Sequence, residues 1–430
     1  MSGIGAPPIE AGLKDAVKLR PPAVPIVTHD PYFSIWSQGD KLTDVNTTHW
    51  TGRPHRLTGL VRIDGKAFRV MGAEPAGAPA LEQKSLTVLP TRTIYTFEGA
   101  GVALTLTFLT PTLPEDIDIL SRPVTYVDYE FRSIDDKNHT AALYLDASPE
   151  IAVNSSNQTV EFQTENFPRF STVRIGSKDQ PVLAKKGDDI RIDWGYLYLS
   201  APASGDTSAS LLPASSARQS FLSGEALPKV KVDGPLPAVD APAAMIVIDS
   251  INVSSKPVSR WLMIAYDDLY SIQYMKKNLR PYWRRNGWEA ADLLKAAAND
   301  YESLQRRCVE FDDELMADLT AAGGEKYAKL CALAYRQCFA AGKFVADDQG
   351  KPIQFCKENH SNGCIGTSDV FYPMAPQFLI FGPSLTKSFL VPFMDYAASD
   401  RWKFPFAPHD LGQYPHANGQ VYGDGEKGLN

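Results

Sequence analysis

A multidomain β + α chain, with an antiparallel β-sandwich first and helices after it, is the fold class this sequence predicts. Three observations carry that prediction. Period-two alternation of apolar and polar residues dominates up to about residue 255, and helix formers with apolar residues three and four apart dominate after residue 287. At 430 residues the chain is also too long for one ordinary compact core. Its 44% hydrophobic and 22% charged residues are the balance of a globular protein rather than a disordered one.

The strands come in order. "VALTLTFLT" (102–110), "VTYVDYEFRS" (124–133), "AALYLDAS" (141–148), "TVEFQTE" (159–165) and "GYLYLSA" (195–201) each alternate, and Gly, Pro, Asn and Asp separate them. Residues 203–243, rich in Ala, Ser and Pro, predict a long surface excursion before two last strands, "AMIVIDSI" and "SRWLMIAYD". The run beginning "WEAADLLKAAANDYESLQ" predicts a long connecting helix. A second helix, 324–346, follows Gly323–Gly324, and shorter ones are expected over 376–381 and 384–399, the last with Ser384 as N-cap. The chain therefore divides into a sandwich region (1–255), a last strand with linker helix (256–322) and a helical region (323–430).

Composition narrows the function. The formal charge is 43 − 50 = −7, with no Lys/Arg run, so a nucleic-acid partner is not expected. The most apolar stretch, "FLIFGPSLTKSFLVPF" (378–393), is broken by Gly, Pro, Thr and Lys, and no membrane partner is expected either. The N-terminus lacks the pattern of a secretory signal. Five cysteines, all after residue 300, do not make a disulfide framework, and Cys331 and Cys338 share one helix face as packing residues.

The polar residues that could do chemistry are concentrated in two loops. If the helices run up, down and up, with a tight turn at "GPS" (382–384), the loops 347–372 and 400–430 emerge at the same end. The first carries Glu358, Asn359, His360, Asn362, Thr367, Ser368 and Asp369; the second carries Arg401, Lys403, His409, Asp410, Tyr414, His416, Asn418, Gln420, Tyr422 and Glu426. Together they predict a polar, aromatic-lined acid/base pocket. Plainer roles compete: Asp369 as a helix N-cap, and His409–Asp410 as a turn. Cys356, His360 and Cys364 are spaced for zinc only on a helix, which the intervening Asn, Gly and Ser oppose, so no metal and no cofactor is expected. Thr367, Ser368 and Cys364 lack the local signature of a nucleophile.

The strings "KENHSNGCIGTSDVFYPMAPQFLIFGPSL" and "VPFMDYAASDRWKFPFAPHDLGQYPHANGQVYGDGE", with the early "VTHDPYFSIWSQGDKLTDVNTTHWTGRPHRLTGLVRIDGKAFRVMG" (27–72), closely resemble the glutaminase A family. The resemblance implies that the helices are the first of an (α/α)6 toroid, that the reaction is hydrolysis of L-glutamine to L-glutamate and ammonia, and that the enzyme is extracellular or periplasmic. In that family the "GQVYG" loop continues into a Met-Pro-Val-Glu-Glu-Ser-Gly-Asn-like stretch and most of the toroid. Here the sequence stops at "GEKGLN". The expectation is an incomplete toroid, inactive by itself unless a second chain supplies the rest, with Leu379, Phe381, Leu390, Val391 and Phe393 uncovered.

Amide hydrolysis needs a nucleophile, a proton for the departing ammonia and donors for the oxyanion. Asp369 and Asp410 are the acid/base or orienting candidates, supported by His409 and Glu358. Arg401 is the candidate clamp for the substrate carboxylate. Asn359, Asn362, Tyr372, Lys403, Tyr414, Gln420 and Tyr422 are the remaining substrate-binding candidates. A glycoside hydrolase or phosphorylase of the same architecture would use Trp402, Tyr372, Tyr414 and Tyr422 against sugar rings. A non-catalytic carbohydrate-binding protein would use Trp36, His49 and Trp50.

Overall fold

The computed structural model describes residues 19–358 and 360–421. Besides a three-stranded antiparallel sheet over Val24–Thr28, Ser34–Ser37 and Thr48–His49, two larger antiparallel sheets form the N-terminal part. The larger has nine strands in the order Leu236–Pro237, Thr159–Glu165, Phe170–Ser177, Tyr196–Pro202, Val258–Asp267, Val124–Ser133, Val102–Leu109, Arg92–Gly99 and Glu82–Val88. The smaller has five: Thr207–Leu212, Ala243–Val253, His139–Ala147, Leu57–Ile63 and Lys66–Met71. Alternation explains the layering. On Val102–Leu109, Val102, Leu104, Leu106 and Phe108 point inward, joining Val61, Leu143, Leu145 and Ile246 of the smaller sheet in one core, while Ala103, Thr105 and Thr107 between them stay partly exposed.

Val124–Ser133 is covered on both faces. Val127, Tyr129 and Phe131 join the inner core, while Tyr126 faces the first half of the long helix, where its hydroxyl donates to Ala297 O at 2.7 Å. The 203–243 excursion is more ordered than expected. Besides the strand Thr207–Leu212 it contains a helix, Ala214–Ser223, whose Ala217 and Phe221 cover Tyr144 and Met245 on the outer face of the smaller sheet. Its Arg218 pairs with buried Asp146 at 2.8 Å. These side chains find their partners across the sheet, which local composition cannot show.

Five helices can be labelled in chain order: α1 (Ile117–Leu120), α2 (Ala214–Ser223), α3 (Ala290–Ala340), α4 (Ser368–Phe381) and α5 (Pro383–Ala397). α3 breaks at Gly324, whose φ of 81° favours glycine, at the predicted division between linker and second helix. The predicted 324–346 helix is corrected: it stops at Ala340, and Gly342–Ala346 is a strand paired with Pro352–Cys356. α4 begins at Ser368 rather than residue 376 and holds Pro373 and Pro376 inside it. Each proline forfeits a helical hydrogen bond, and aromatic packing offsets the loss: Phe371 meets Phe393 at 5.1 Å and Phe378 meets Phe389 at 5.5 Å between ring centroids. Gly382 alone joins α4 to α5 and is the N-cap residue in place of Ser384. The chain is thus mostly sheet in its N-terminal part and helical after it.

The helical part is locked to the sandwich by buried polar groups. Lys343 Nζ, on the strand after α3, lies 2.7 Å from Asp30 and 3.0 Å from Asp268, and all three side chains are buried. Burial opposes the lysine's charge, but Asp268 and Asp30 outweigh it and hold its pKa above the ordinary value. Tyr335 donates to Thr112 O at 2.6 Å, and Arg336 to Thr28 Oγ1 at 3.0 Å. Further along, His416–Ala417 pairs in parallel with Ile272–Tyr274, which fastens the last described loop to the segment leaving the sandwich.

Candidate active site

The loops before α4 and after α5 do emerge together, and they zip into a short ladder. Leu411 N donates to Ile365 O at 2.9 Å, Ile365 N to Gly412 O at 3.1 Å, Tyr414 N to Gly363 O at 2.9 Å and Ser368 N to His409 O at 2.8 Å. Gly363 permits the approach. Its φ is 73°, and a Cβ there would lie 2.6 Å from the Asp188 backbone nitrogen.

His409 stands at the junction. Its Nδ1 lies 3.1 Å from Asp410 Oδ2, and its Nε2 lies 3.8 Å from Asp369 Oδ1. Both predicted acids therefore flank one imidazole. Asp410 is fully buried, and its Oδ1 accepts from Gly412 N at 2.8 Å and Val421 N at 3.1 Å, which fixes the carboxylate in place. Asp369 is 72% exposed on its side chain. It is not the N-cap of α4; that position belongs to Thr367, and Asp369 sits in the first turn, where a negative charge suits the helix dipole. His409 N donates to Gln420 Oε1 at 2.6 Å, so Gln420 orients the histidine backbone from inside.

Glu358 approaches the same place through its neighbour Cys364, whose carbonyl accepts from Glu358 N at 2.8 Å. The Oε2 atom of Glu358 is buried and, among the described residues, has no hydrogen-bond partner. Cys364, passed over as a nucleophile in the sequence, is the addition the structure makes. Burial, then the Asp410 and Glu358 carboxylates, push its thiol far above the usual range. Its Sγ lies with a His409 nitrogen and an Asp410 oxygen in a group whose atoms are all within 4.8 Å of one another.

The other predicted residues are placed less centrally. Asn362 braces its own loop, accepting from Cys364 N through Oδ1 at 3.0 Å. Tyr372 is 79% exposed on α4, and Lys403 is exposed. Arg401 is bound to Asn418 O and to Met275 Sδ, and lies over the Tyr396 ring. Tyr414 is buried edge-on against Tyr32 at 5.2 Å, which removes it from any surface a substrate could reach. Trp402, a candidate sugar platform, is likewise buried. Asn359, Tyr422 and Glu426 lie outside the described residues. The zinc spacing of Cys356, His360 and Cys364 does not converge: Cys356 ends a strand in the core, while exposed His360 turns toward Asp188 at 3.7 Å.

The sandwich contributes a wall that the sequence reading missed. Lys357 Nζ donates to Asp188 Oδ1 at 2.6 Å and lies 4.7 Å from the centre of the Trp50 ring. Gly187 N donates to Tyr414 O at 3.0 Å, and His416 Nε2 lies 2.7 Å from Leu183 O. The acid pair in "KKGDDIRI", in a strand-poor stretch, was the available signal.

Comparison with known proteins finds family profiles along most of the chain. Residues 324–429 match the profile described as "Glutaminase A six helical-hairpin domain", and residues 91–318 and 11–80 match two domains of unknown function, DUF5127 and DUF4964. The chain is 27% identical to glutaminase A of Aspergillus oryzae over 433 residues, which cover 95% of this chain and 61% of that protein. It is 23% identical to a probable glutaminase of Arthroderma benhamiae, over 97% of this chain and 52% of that protein. The chain thus spans between half and two thirds of the length of these curated relatives. Among solved structures, "Putative kojibiose phosphorylase from human microbiome" aligns with a TM-score of 0.37 and 7% identity over 74% of this chain and 39% of its own, a likeness too loose to bear on function. The sequence profiles and the curated relatives together place the chain in the glutaminase A family.

Proposed function

We propose that this chain carries the amide-hydrolysing site of a glutaminase-like enzyme, converting L-glutamine to L-glutamate and ammonia. The observation that carries the reading is the line Asp369, His409, Asp410 at the junction of the two loops, inside the segment matching the six helical-hairpin domain. Buried Asp410 holds His409 by Nδ1 and leaves Nε2 on the side of exposed Asp369. There the imidazole takes a proton from water as the water oxygen bonds to the amide carbon, then returns it to the nitrogen as the C–N bond breaks and ammonia leaves. Asp369 steadies the imidazolium from the open side. The 401–403 stretch supplies a cation for the substrate carboxylate.

In the same reading, α4 and α5 are early helices of an (α/α)6 toroid, and further hairpins, from the same or a second chain, cover Tyr372, Leu379, Ile380 and Met394, which are all more than half exposed. Full activity depends on that cover, and the enzyme works outside the cytoplasm. The test is to incubate the protein, at the length of its curated relatives, with L-glutamine and with a panel of glycans, following ammonia and reducing ends. Ammonia from glutamine is expected; reducing ends without ammonia would replace this reading by glycoside cleavage.

A further inference from the structure

We propose that Cys364, His409 and Asp410 form a binding site for a zinc-class divalent cation. The candidate ligand atoms of these three lie within 4.8 Å of one another, so a small side-chain adjustment brings them to a single ion at zinc bond lengths of about 2.0–2.3 Å. Thiolate, imidazole and carboxylate together are a borderline-soft donor set, which suits Zn²⁺ or Co²⁺ better than Mg²⁺ or Ca²⁺.

Three independent features orient these groups as ligands. The 3.1 Å separation of His409 Nδ1 and Asp410 Oδ2 fits two neighbouring ligands on one ion as well as it fits a hydrogen bond. The far ring nitrogen, Nε2, faces the Asp369 carboxylate at 3.8 Å, too far for a hydrogen bond but near enough for its charge to favour the tautomer that leaves Nδ1 open to an ion. Two backbone amides occupy Asp410 Oδ1 and turn Oδ2 toward His409.

The fourth observation concerns charge. Glu358 Oε2 is buried beside Cys364 and, among the described residues, has no hydrogen-bond partner. Lys357 acts on Glu358 and Cys364 electrostatically, but its ion pair is with Asp188 at 2.6 Å, and Asp410 has His409 as its own close partner at 3.1 Å. A divalent cation would offset the negative charge that fully buried Asp410 brings to the cluster. His409 is 29% exposed on its side chain, which gives an ion a way in.

The inference goes beyond the amidase reading and describes a separate state of His409: an ion on Nδ1 leaves the ring proton on Nε2, so the metal-bound chain does not use that nitrogen as the proton acceptor. The test uses the reduced, chelator-stripped chain titrated with Co²⁺. One equivalent is expected to bind, with the near-ultraviolet charge-transfer band of a cobalt–thiolate bond. Cys364→Ser removes the band, whereas Cys338→Ser keeps it. His409→Ala and Asp410→Asn each lower the affinity by tenfold or more, the latter scored with an unchanged circular dichroism spectrum because Asp410 also holds two backbone amides. Absence of the band from the unaltered chain, or its survival in Cys364→Ser, would overturn the site. The readout needs no turnover, so it fails separately from the amidase reading, whose failure is the absence of ammonia.

Discussion

The sandwich and the helical segment both have to hide apolar side chains, and they do so with different completeness. In the sandwich the inner faces meet across the two sheets, and the outer faces of Val124–Ser133 and Ala243–Val253 are covered by α3 and α2, while the faces left open, as on Glu82–Val88, carry mostly polar residues. In the helical segment the α4/α5 seam is closed by Phe371, Phe378, Phe389 and Phe393, yet Tyr372 and Ile380 are 79% exposed and Met394 59%. Of the residues expected to be uncovered, Leu379 and Leu390 are exposed, whereas Phe393 lies in the seam and Phe381 packs 5.2 Å from the Tyr335 ring. The difference teaches that a sheet closed by its own chain carries its stability with it, while a helix pair with one sealed and one open face takes its place from what it is anchored to.

The anchor is the first place to break the comparison. Lys343→Ala leaves Asp30 and Asp268 buried without their cation, and Asp268 Oδ1 already has no partner among the described residues. A loss of about 3–5 kcal/mol is expected. Denaturant unfolding should show the helical segment parting first while amides of Val124–Ser133 stay protected from exchange; simultaneous loss of both would mean that the two regions are one cooperative unit. Asp410→Asn comes next. In the protein at the length of its curated relatives, the proposed release of ammonia from glutamine should fall by roughly 10²-fold or more with circular dichroism unchanged, and undiminished release would take Asp410 out of the reaction.

Acid tests the sandwich side. Burial, the leading cause, holds the His29 and His49 imidazoles down at about 3, against 6.5 for an ordinary histidine. Between those values the unfolded chain binds more protons than the folded one, so stability is intact above about pH 6.5 and falls as pH drops toward 3. Each histidine contributes roughly 1.4 kcal/mol per pH unit inside that window. His49→Gln should flatten the acid limb of Tm against pH by one proton's worth; an unaltered slope would show that His49 is not neutral when folded. The smallest effect belongs to the open helix face. Ile380→Ser should change the stability of this chain by less than about 0.5 kcal/mol while reducing its aggregation, as light scattering would register. A larger destabilisation would reveal that Ile380 already has a cover.

Much of this arrangement was legible before any coordinates. Thr159–Glu165 and Val124–Ser133 fall where alternation predicted them, residue for residue. The break at Gly324 was legible because only glycine is comfortable at its positive φ. The convergence of the two loops was legible from one tight turn between two helices. Less legible were segments whose structure depends on a distant partner. "GKFVA" continues an Ala-rich helix in composition but becomes a strand, because Pro352–Cys356 offers backbone bonds. Tyr414 has the composition of a binding residue and is a core residue, because Tyr32 and the sandwich edge close over it.

What the sequence determined by itself is periodic and local: strand faces, helix stripes, turns, and the polar residues of two loops, all set within a few residues by backbone sterics and side-chain spacing. What only the tertiary structure decided is which of those polar residues share a site. His409 between Asp369 and Asp410, the Cys364 thiol beside Glu358, and the Lys357–Asp188–Trp50 wall each join segments far apart in the chain. Their proximity follows from loops pairing across the end of a helix array and from a sandwich edge packing against them. No period in the sequence encodes that geometry, because it is set by the sum of many packing contacts rather than by any one stretch.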